Sequence, residues 1–451
     1  MDKKKKVGLA VLIIIALYVA ASIFFQYHYF IGTKVNGYSC AFRSVSKAKE
    51  LIKKDVKSYK ITIKERDKKK ESISSSQVKL AFKDDGKLEN IKAGQKGYAW
   101  ITALFQSQNY KDAITLTVDK DAFNDTYTNL NAFNKDMVIA PVDAYSAYDA
   151  ASNSYSIVPE VYGNTVKRKQ FKPILKEAIL NMERSIDIEK KDCYKNPVYK
   201  KDTAEVVAAN KTLNQYVQET ITYDFDDRTE EVNAKKLSKW LYETDKHEVK
   251  VHSEMVAKYI KNLAKKYDTV GVKRHFKSIC GNDVEVSGGT YGWKIDQEAE
   301  YNALIANIQK AETVTREPNY SSRAASHDGN DVGNTYAEVN LTTQHMYYVK
   351  DGHIALETDV VTGNPNKGNA TPTGVYSLAY KAKDQTLKGT KKADGTYEYE
   401  TPVKYWMPFN GGIGLHDANW RSKFGGTIYQ TNGSHGCINL PPKVAAQVYE
   451  N

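Results

Sequence analysis

The feature that most constrains this chain is a run of twenty-seven residues without a formal charge, at positions 7–33. Four lysines, at positions 3–6, come directly before it. The most apolar part, residues 7–25, approaches the roughly 20 apolar residues that cross a bilayer as a helix. Lysines that flank a span stay on the cytoplasmic side. We therefore expect a cytoplasmic tail over residues 1–6, a transmembrane helix over residues 7–27, and the rest of the chain outside the cell membrane.

A cleaved signal peptide is the alternative interpretation of the same segment. The small residues at positions 20–22 follow a shorter apolar run, which is how cleavage sites are built. Three large apolar residues at positions 23–25 continue the stretch past that site. We therefore favour a retained anchor.

Length and charge indicate the number of domains and the kind of binding partner. A chain of 451 residues is long enough for two to four domains, each with its own core. The net charge of +11 fits an anionic partner. No helix-turn-helix, RNP or zinc-finger spacing occurs, so we expect no nucleic acid ligand. An anionic cell surface explains the charge, and a basic surface that is merely solvated explains it equally well.

Cysteine usage excludes a disulfide scaffold, because a chain of this length holds only Cys40, Cys193, Cys280 and Cys437. Cys193 and Cys280 fall in different predicted modules. Whether these two thiols pair or stay free is left open by the sequence.

The C-terminal part carries a pattern that suits nucleophilic catalysis. Cys437 follows His416 by twenty-one residues, far enough for the two to come from separate strands and meet in space. A cysteine reacts as its thiolate, so a nucleophilic one needs a base and donors for the oxyanion. Gly436 permits a tight turn in which the N–H groups of Gly436 and Cys437 point at an oxyanion. An adjacent imidazolium would also lower the pKa of the thiol.

Two other interpretations fit single residues of this pattern. A lone cysteine in a glycine-flanked turn is often a small buried hydrophobe. His416, His435 and Cys437 also provide three ligands of the kind that bind zinc. No Cys-x-x-Cys pair and no His-x-x-x-His helix supports the zinc site. We expect no metal and no cofactor.

The whole pattern, a histidine, a gap, then Ser-His-Gly-Cys followed by Asn439, resembles the signature of L,D-transpeptidases. These YkuD-like enzymes cross-link bacterial peptidoglycan. The resemblance extends to residues 370–376 and 405–409 and covers residues 334–451, about a quarter of the chain. It implies a mainly-β catalytic domain with a YkuD-like β-sandwich fold.

The resemblance also implies roles for individual residues. Cys437 is the expected nucleophile and His416 the expected base. Asp417 follows His416 on a strand, where neighbouring side chains point to opposite faces, so a backbone carbonyl is the expected partner of the imidazole. The residues expected to support the site are Ser434, His435, Gly436, Asp417 and Asn439. The residues expected to line the substrate pocket are Tyr405, Trp406 and Met407.

The activity implied is that of a membrane-anchored peptidoglycan L,D-transpeptidase. Its donor is a stem tetrapeptide, cut between the third residue and the terminal D-alanine, and its product is a 3-to-3 cross-link formed through a thioester. Release to water gives an L,D-carboxypeptidase, which is one alternative. A catalytically inactive wall-binding protein is another. The expected partners are peptidoglycan stem peptides and the cell membrane, and the implied inhibitors are carbapenems.

The middle of the chain suggests an internal repeat of α+β modules. Tyr162-Gly163 and Tyr291-Gly292 each precede a helical run, and the second pair lies 129 residues after the first. These modules resemble the peptidoglycan-binding domains that precede the catalytic domain in many Gram-positive L,D-transpeptidases. We expect one over residues 28–204 and another over 205–312. Simple spacers are the alternative. Residues 313–333 are polar and contain proline and glycine, which predicts a linker.

Three local predictions concern the catalytic domain. Residues 373–378 are expected to form a strand. The polar stretch 381–400 predicts a hairpin beside the pocket, as a lid over the substrate or as surface decoration. A helix is expected over residues 444–449. The resemblance implies one more strand after this helix, without which sheet edges would be exposed.

Overall fold

The computed structural model describes residues 2–327 and 331–451. It separates into two compact units. The first comprises Met1–Tyr145 and Val158–Val206, and the second comprises Ser146–Ile157 and Val207–Asn451. The break near residue 206 lies close to the predicted module boundary at 204/205, whereas residues 146–157 join the later unit.

The helices are distributed over both units. The α-helices of the described residues are α1 (Lys3–Tyr27), α2 (Val45–Ser58), α3 (Lys87–Gly94), α4 (Lys120–Thr128), α5 (Arg168–Leu180), α6 (Ala204–Gln218), α7 (Ala234–Trp240), α8 (Ser253–Tyr267), α9 (Gln297–Lys310), α10 (Ile428–Asn432) and α11 (Pro442–Glu450). The 3₁₀ helices are Arg66–Lys68, Gly97–Leu104, Asn131–Phe133 and Pro365–Lys367.

The strands are short except in the C-terminal part. The first ten are β1 (Lys34–Val35), β2 (Tyr38–Ser39), β3 (Lys60–Lys64), β4 (Lys70–Ser74), β5 (Ala81–Lys83), β6 (Asn109–Tyr110), β7 (Thr115–Thr117), β8 (Tyr145–Asp149), β9 (Ser154–Val158) and β10 (Ser185–Asp187). The next nine are β11 (Ile221–Asp224), β12 (Thr229–Val232), β13 (Leu241–Glu243), β14 (Val249–Val251), β15 (Arg274–Lys277), β16 (Asp283–Val286), β17 (Lys294–Ile295), β18 (Val314–Arg316) and β19 (Tyr320–Ser322). The last seven are β20 (Tyr336–Asn340), β21 (His345–Lys350), β22 (His353–Asp359), β23 (Ala382–Lys388), β24 (Glu400–Asn410), β25 (Ile413–Asp417) and β26 (Ile438–Leu440).

One helix of the described residues, α1, is long and apolar enough to cross a membrane. It has 25 residues and begins at Lys3, so the four lysines form its first turn rather than a separate tail. At 1.5 Å per residue the helix is roughly 37 Å long, which exceeds the hydrocarbon core of a bilayer.

The first unit is built on a hairpin with a parallel third strand. β3 pairs antiparallel with β4, and β10 pairs parallel with β3. α2 begins after Ser44, whose hydroxyl accepts a hydrogen bond from the Lys47 N–H, as in many helix N-caps. Ile52 and Val56 on α2 and Phe171 on α5 are buried in the same core.

The second unit repeats this order of elements. β11 pairs antiparallel with β12, and β18 pairs parallel with β11. The helix that precedes the third strand begins 129 residues later in the second unit, at residue 297 instead of 168. The strand itself is displaced by the same amount, from residue 185 to residue 314. The spacing agrees with the internal repeat predicted from the sequence.

The segment predicted to be a linker, residues 313–333, contains two strands. β18 completes a three-stranded sheet with β11 and β12, and β19 pairs with β17. Asp331 is buried and accepts hydrogen bonds from Thr269 and Arg274. The linker prediction is therefore wrong for these parts, because main-chain pairing does not require the apolar periodicity that the segment lacks. Residues 328–330 of the predicted linker lie outside the described residues.

The C-terminal part of the second unit contains two larger sheets. β20, β21 and β22 form one sheet, and β23, β24, β25 and β26 form the other in that order. Both sheets and α11 contribute to one apolar core, with Met346 from β21, Met407 from β24, Leu415 from β25 and Ala445 from α11. The predicted helix over residues 444–449 is part of α11.

Two further predictions for this part have different outcomes. The stretch 381–400 forms the first strand and the turn of a hairpin, whose returning strand is the first part of β24. Residues 373–378 contain no strand, and of these Val375 makes an isolated bridge to Gly289. The predicted strand is wrong because the backbone of Val375 bonds to Gly288 and Tyr291. The outer edge of β26 is covered by Val361, which bridges to Asn439.

Candidate active site

Two parallel strands bring Cys437 and His416 to the same face of a sheet. β25 pairs with β26 so that Leu415 lies opposite Ile438 and His416 opposite Asn439. Cys437 directly precedes Ile438, so it lies opposite Gly414, the residue before Leu415. Because alternate residues of a strand share a face, the side chains of Cys437 and His416 lie on one face. The structure thus brings together the two residues predicted as nucleophile and base.

The imidazole of His416 is held in one tautomer. Its Nδ1 lies 2.8 Å from the backbone carbonyl oxygen of Asp417. A carbonyl only accepts hydrogen bonds, so Nδ1 carries the proton and Nε2 keeps its lone pair. The ring is buried, with the Trp406 and Trp420 rings at centroid distances of 6.0 and 5.9 Å. The predicted backbone partner is therefore confirmed, and Nε2 is the basic atom.

The Asp417 carboxylate points to the other side of the sheet. Its Oδ1 accepts hydrogen bonds from the N–H groups of Lys404 and Tyr405, both at 2.8 Å. The side chain is almost fully buried. Asp417 therefore stabilises the backbone of β24, and its side chain is not the orienting group of the imidazole.

Replacing Asp417 tests whether its carboxylate supports the backbone of β24 or acts on His416. Asp417→Ala leaves two part-buried N–H donors without an acceptor, at a cost of up to about 1–3 kcal/mol each, so we expect a loss of stability. Asp417→Asn keeps one side-chain oxygen and is the matched control. We expect it to retain cysteine reactivity within a few-fold of the wild type. The measurements are urea unfolding and the rate of Cys437 acylation. A loss of several orders of magnitude in folded Asp417→Asn would show that the carboxylate acts on His416.

Burial sets the protonation state of both residues. The Cys437 thiol donates a hydrogen bond to the Gly412 carbonyl oxygen, with sulfur and oxygen 3.6 Å apart. Burial raises the pKa of Cys437, against a smaller lowering by the Gly414 N–H. Burial lowers the pKa of His416, against the opposing effect of the Asp417 carbonyl. The pair is therefore neutral near pH 7, and the lowered thiol pKa expected from the sequence is wrong for this resting state.

The turn before Cys437 is tied together by the Ser434 side chain. The Ser434 hydroxyl donates to the carbonyl oxygen of Cys437 and accepts from the Gly436 N–H at 3.1 Å. The Gly436 N–H is thus occupied, and the prediction that it points at an oxyanion is wrong for this structure. Gly436 has a φ of 117°, which side-chain-bearing residues rarely adopt, and a Cβ there would lie 3.1 Å from the Ile413 side chain.

Thr371 and Gly363 also hold this turn in place. The Thr371 hydroxyl donates to the Gly436 carbonyl oxygen at 2.7 Å and accepts from the Gly363 N–H at 2.9 Å. A Cβ on Gly363 would lie 2.8 Å from the Gly436 Cα, so the two backbones are in direct contact. Thr371 lies in the segment 370–376 that carries the family resemblance, but sequence reasoning gave it no role.

His435 contacts the hairpin. Its ring stacks on that of Tyr399 with centroids 4.6 Å apart, and its Nε2 lies 4.0 Å from an oxygen of Glu398. The pKa of Tyr399 is raised, mainly by burial and further by the nearby Cys437. Tyr399 is thus a site residue that sequence reasoning missed. Among the described residues, no three His, Cys, Asp or Glu side chains are grouped to hold a metal ion.

The predicted pocket residues lie on opposite faces of β24. Trp406 pairs with His416 and packs against Cys437. Met407 is buried in the core between the sheets. Tyr405 packs on the same core and contacts the Tyr449 ring at 5.2 Å. The pocket prediction is wrong for Tyr405 and Met407, because consecutive residues of a strand alternate in direction.

Asn439 lies beside His416 on β26 and is almost fully buried. Its backbone exchanges hydrogen bonds with Val361. Its side-chain oxygen has no hydrogen-bond partner among the described residues. The structure therefore places Asn439 next to the predicted base, with an acceptor available.

Comparison with known proteins places this site in a family. Residues 334–451 match the family model of the L,D-transpeptidase catalytic domain, YkuD, and residues 200–316 match a family described as a peptidoglycan-binding domain. The crystal structure of a cysteine-to-serine variant of Enterococcus faecium L,D-transpeptidase is 38% identical, over 53% of this chain and 94% of that chain, with a TM-score of 0.44. The chain belongs to the L,D-transpeptidase family.

Two further solved structures resemble this chain over its catalytic domain alone. NMR structures of the catalytic domain from E. faecium L,D-transpeptidase, one of them acylated by ertapenem, are 50% identical to it. Each match spans 26% of this chain. The matches span 88% and 90% of the chains in the two NMR structures, with TM-scores of 0.23 and 0.24. No curated protein sequence matches the chain.

Proposed function

We propose that this protein is a membrane-anchored peptidoglycan L,D-transpeptidase that forms 3-to-3 cross-links through a thioester on Cys437. The observation that carries the proposal is the state of the catalytic pair. Cys437 and His416 share a face of the sheet, and the hydrogen bond from His416 Nδ1 to the Asp417 carbonyl leaves Nε2 free to accept a proton.

The neutral pair determines the first step. The sulfur of Cys437 attacks the carbonyl carbon of the third stem residue while His416 Nε2 takes the thiol proton, so the charged pair forms only as the bond forms. The Cys437 N–H is the proposed oxyanion donor, since the Gly436 N–H is bonded to Ser434. Collapse of the intermediate breaks the peptide bond, and the imidazolium gives its proton to the leaving D-alanine amine.

The second step uses the same groups in reverse. The side-chain amine of the third residue of another stem attacks the thioester, His416 takes a proton from this amine, and the thiolate leaves and is reprotonated. Attack by water instead gives carboxypeptidase activity. The thioester formed in the first step is thus shared by both reactions, and the acceptor decides between them.

We propose that the hairpin of residues 381–400 covers bound substrate. The Tyr399 ring lies against Gly389, where a Cβ would be 2.7 Å from the ring, and against His435 next to the nucleophile. The hairpin therefore reaches the site through one aromatic side chain. Lids that close over an active site commonly exclude water and position the substrate.

Tyr399→Ala tests this role of the hairpin. Loss of the ring removes the contact to His435 without touching Cys437, so we expect slower turnover of stem peptides and little change in the alkylation of the thiol by iodoacetamide. Tyr397→Ala is the matched control, because Tyr397 lies on the same hairpin and its ring contacts Lys388. If the two substitutions have equal effects, the hairpin is a surface element that does not cover the substrate.

We propose that α1 is a retained anchor. The residues around the alternative cleavage site pack against the folded unit, with Phe25 buried and stacked on Trp100 at 5.6 Å. Cleavage after positions 20–22 would cut the helix next to these contacts. We further propose that the catalytic domain lies outside the membrane and that the domain over residues 200–316 contacts peptidoglycan.

The test of the proposed activity is product analysis. The full-length protein, in detergent or vesicles, is incubated with disaccharide-tetrapeptides and the products are identified by mass spectrometry. We expect 3-to-3 linked dimers and free D-alanine, and neither with Cys437→Ala. Release of D-alanine without any dimer, even with added acceptor amine, would establish a carboxypeptidase. Binding to sacculi without either product would establish an inactive wall-binding protein.

A further inference from the structure

An apolar surface lies in the first unit, on and after the 3₁₀ helix Gly97–Leu104. Four of its large side chains are exposed: Tyr98 by 67%, Ile101 by 46%, Leu104 by 51% and Phe105 by 87%. We call these four residues the 98–105 patch. Contiguous exposed apolar groups on a protein surface mark contacts with other proteins or with membranes.

The 3₁₀ helix is packed against the C-terminal half of α1. Trp100 stacks on Phe25, and Ala103 is buried in the same small cluster. The Tyr18 hydroxyl of α1 donates to the carbonyl oxygen of Tyr98 at 2.6 Å. The patch is therefore continuous with the apolar surface of the proposed membrane anchor.

Close backbone contact and internal hydrogen bonds make this packing suitable for lipid. A Cβ on Gly97 would lie 2.3 Å from the Ser22 carbonyl oxygen, so the glycine lets the 3₁₀ helix touch the α1 backbone. Helices in membranes associate through such small residues. The Gly97 N–H donates to the Gln26 side-chain oxygen at 3.0 Å. Backbone groups at membrane depth need partners of this kind inside the protein.

The contact points on α1 place the 3₁₀ helix within the bilayer. At 1.5 Å per residue, Tyr18 lies roughly 18 Å and Gln26 roughly 30 Å along the helix from Lys6. The hydrocarbon core is about 30 Å thick and begins near the lysines. The 3₁₀ helix therefore lies beside the part of α1 that crosses the outer leaflet. Tyr and Trp, which the 3₁₀ helix contains, are enriched where a membrane meets water.

We propose that residues 97–105 form a second membrane-inserted element, which lies against α1 and places the 98–105 patch in the acyl chains of the outer leaflet. This inference rests on the proposed anchoring by α1. With two elements in the bilayer, the first unit is held at the membrane surface and does not rotate freely about a single helix.

The test uses the full-length protein in phosphatidylcholine and phosphatidylglycerol vesicles. Cys280 and Cys437 are replaced by serine, and one new cysteine carries an environment-sensitive fluorophore. The labelled variants are Phe105→Cys in the patch, Val198→Cys as a control that is also highly exposed and lies in the same unit, and Ile14→Cys within α1. Quenching is measured with lipids that carry a nitroxide on the acyl chain and with aqueous iodide.

We expect several-fold stronger quenching by the nitroxide lipids at position 105 than at position 198, and the reverse order with iodide. If position 105 behaves like position 198 while position 14 is quenched by the lipids, the inference is wrong and the anchor stands. If position 14 is not quenched by the lipids either, the proposed anchoring fails and the inference fails with it.

Discussion

His416→Ala should slow the acylation of Cys437 by about 10²–10⁴-fold, the usual contribution of a positioned general base. The expected reason is loss of the acceptor for the thiol proton, not loss of a positive charge. Burial keeps His416 neutral near pH 7 and raises the pKa of Cys437, so the wild-type thiol is also neutral there. The measurement is the rate of reaction with a carbapenem, the inhibitor class that the family resemblance implies.

The pH dependence of alkylation distinguishes the two explanations. Because the pKa of Cys437 is raised, we expect its reaction with iodoacetamide to increase with pH through a midpoint above the usual 8.5 of a free cysteine. His416→Ala should not move this midpoint upward. An upward shift in His416→Ala would mean that an imidazolium lowers the thiol pKa. His435→Ala is the matched control, because His435 stacks on Tyr399 and should leave the acylation rate within a few-fold of the wild type.

Thr371→Val should have the second largest effect, through the turn that carries Cys437, the proposed nucleophile. The substitution keeps the shape of the side chain but removes the hydroxyl that links the Gly363 N–H to the Gly436 carbonyl oxygen. Each buried group left without a partner costs about 1–3 kcal/mol. We expect a lower melting temperature and acylation slowed by about 10-fold or more, since a displaced Gly436 moves Cys437.

Thr373→Val is the matched control for this effect. Thr373 lies two residues further along the same segment and is exposed. We expect wild-type stability and reactivity from it. If Thr371→Val behaved like Thr373→Val, the Thr371 hydroxyl would have no part in holding the turn before Cys437.

Several predictions that rest on short-range geometry agree with the structure. The uncharged run became α1, and the alternation of a strand placed the Asp417 carboxylate away from the imidazole. The spacing of His416 and Cys437 allowed them to meet from separate strands. The first two predictions depend on rules that apply within a few residues. The third needs only one pair of strands, β25 and β26, to lie side by side.

The choice of pocket residues, which depends on how distant strands pair, was wrong for Tyr405 and Met407. Alternation shows that Trp406 and Met407 point apart, but only the pairing of β24 with β25 decides which of them faces His416. The depth at which Cys437 is buried, and thus the direction of its pKa shift, also depends on neighbours such as Val403 that are remote in sequence.

Other parts of the site gave no signal in the sequence. Tyr399 and Thr371 lie in segments without periodicity, and the hydrogen bond that the Gly436 N–H donates to the Ser434 hydroxyl removed the expected oxyanion donor. Residues 313–333 show the same limit for the fold, because β18 and β19 are held by main-chain pairing rather than by an apolar pattern.

The most direct test of the catalytic proposal is the mass of the acyl-enzyme. The full-length protein is mixed with stem tetrapeptide without an acceptor amine, quenched in acid and measured intact, then digested to locate the adduct. We expect a mass increase equal to the stem without its terminal D-alanine, on the peptide that contains Cys437, and no adduct with Cys437→Ala. An adduct on the exposed Cys280, or one that persists in Cys437→Ala, would contradict the assignment of Cys437 as the nucleophile.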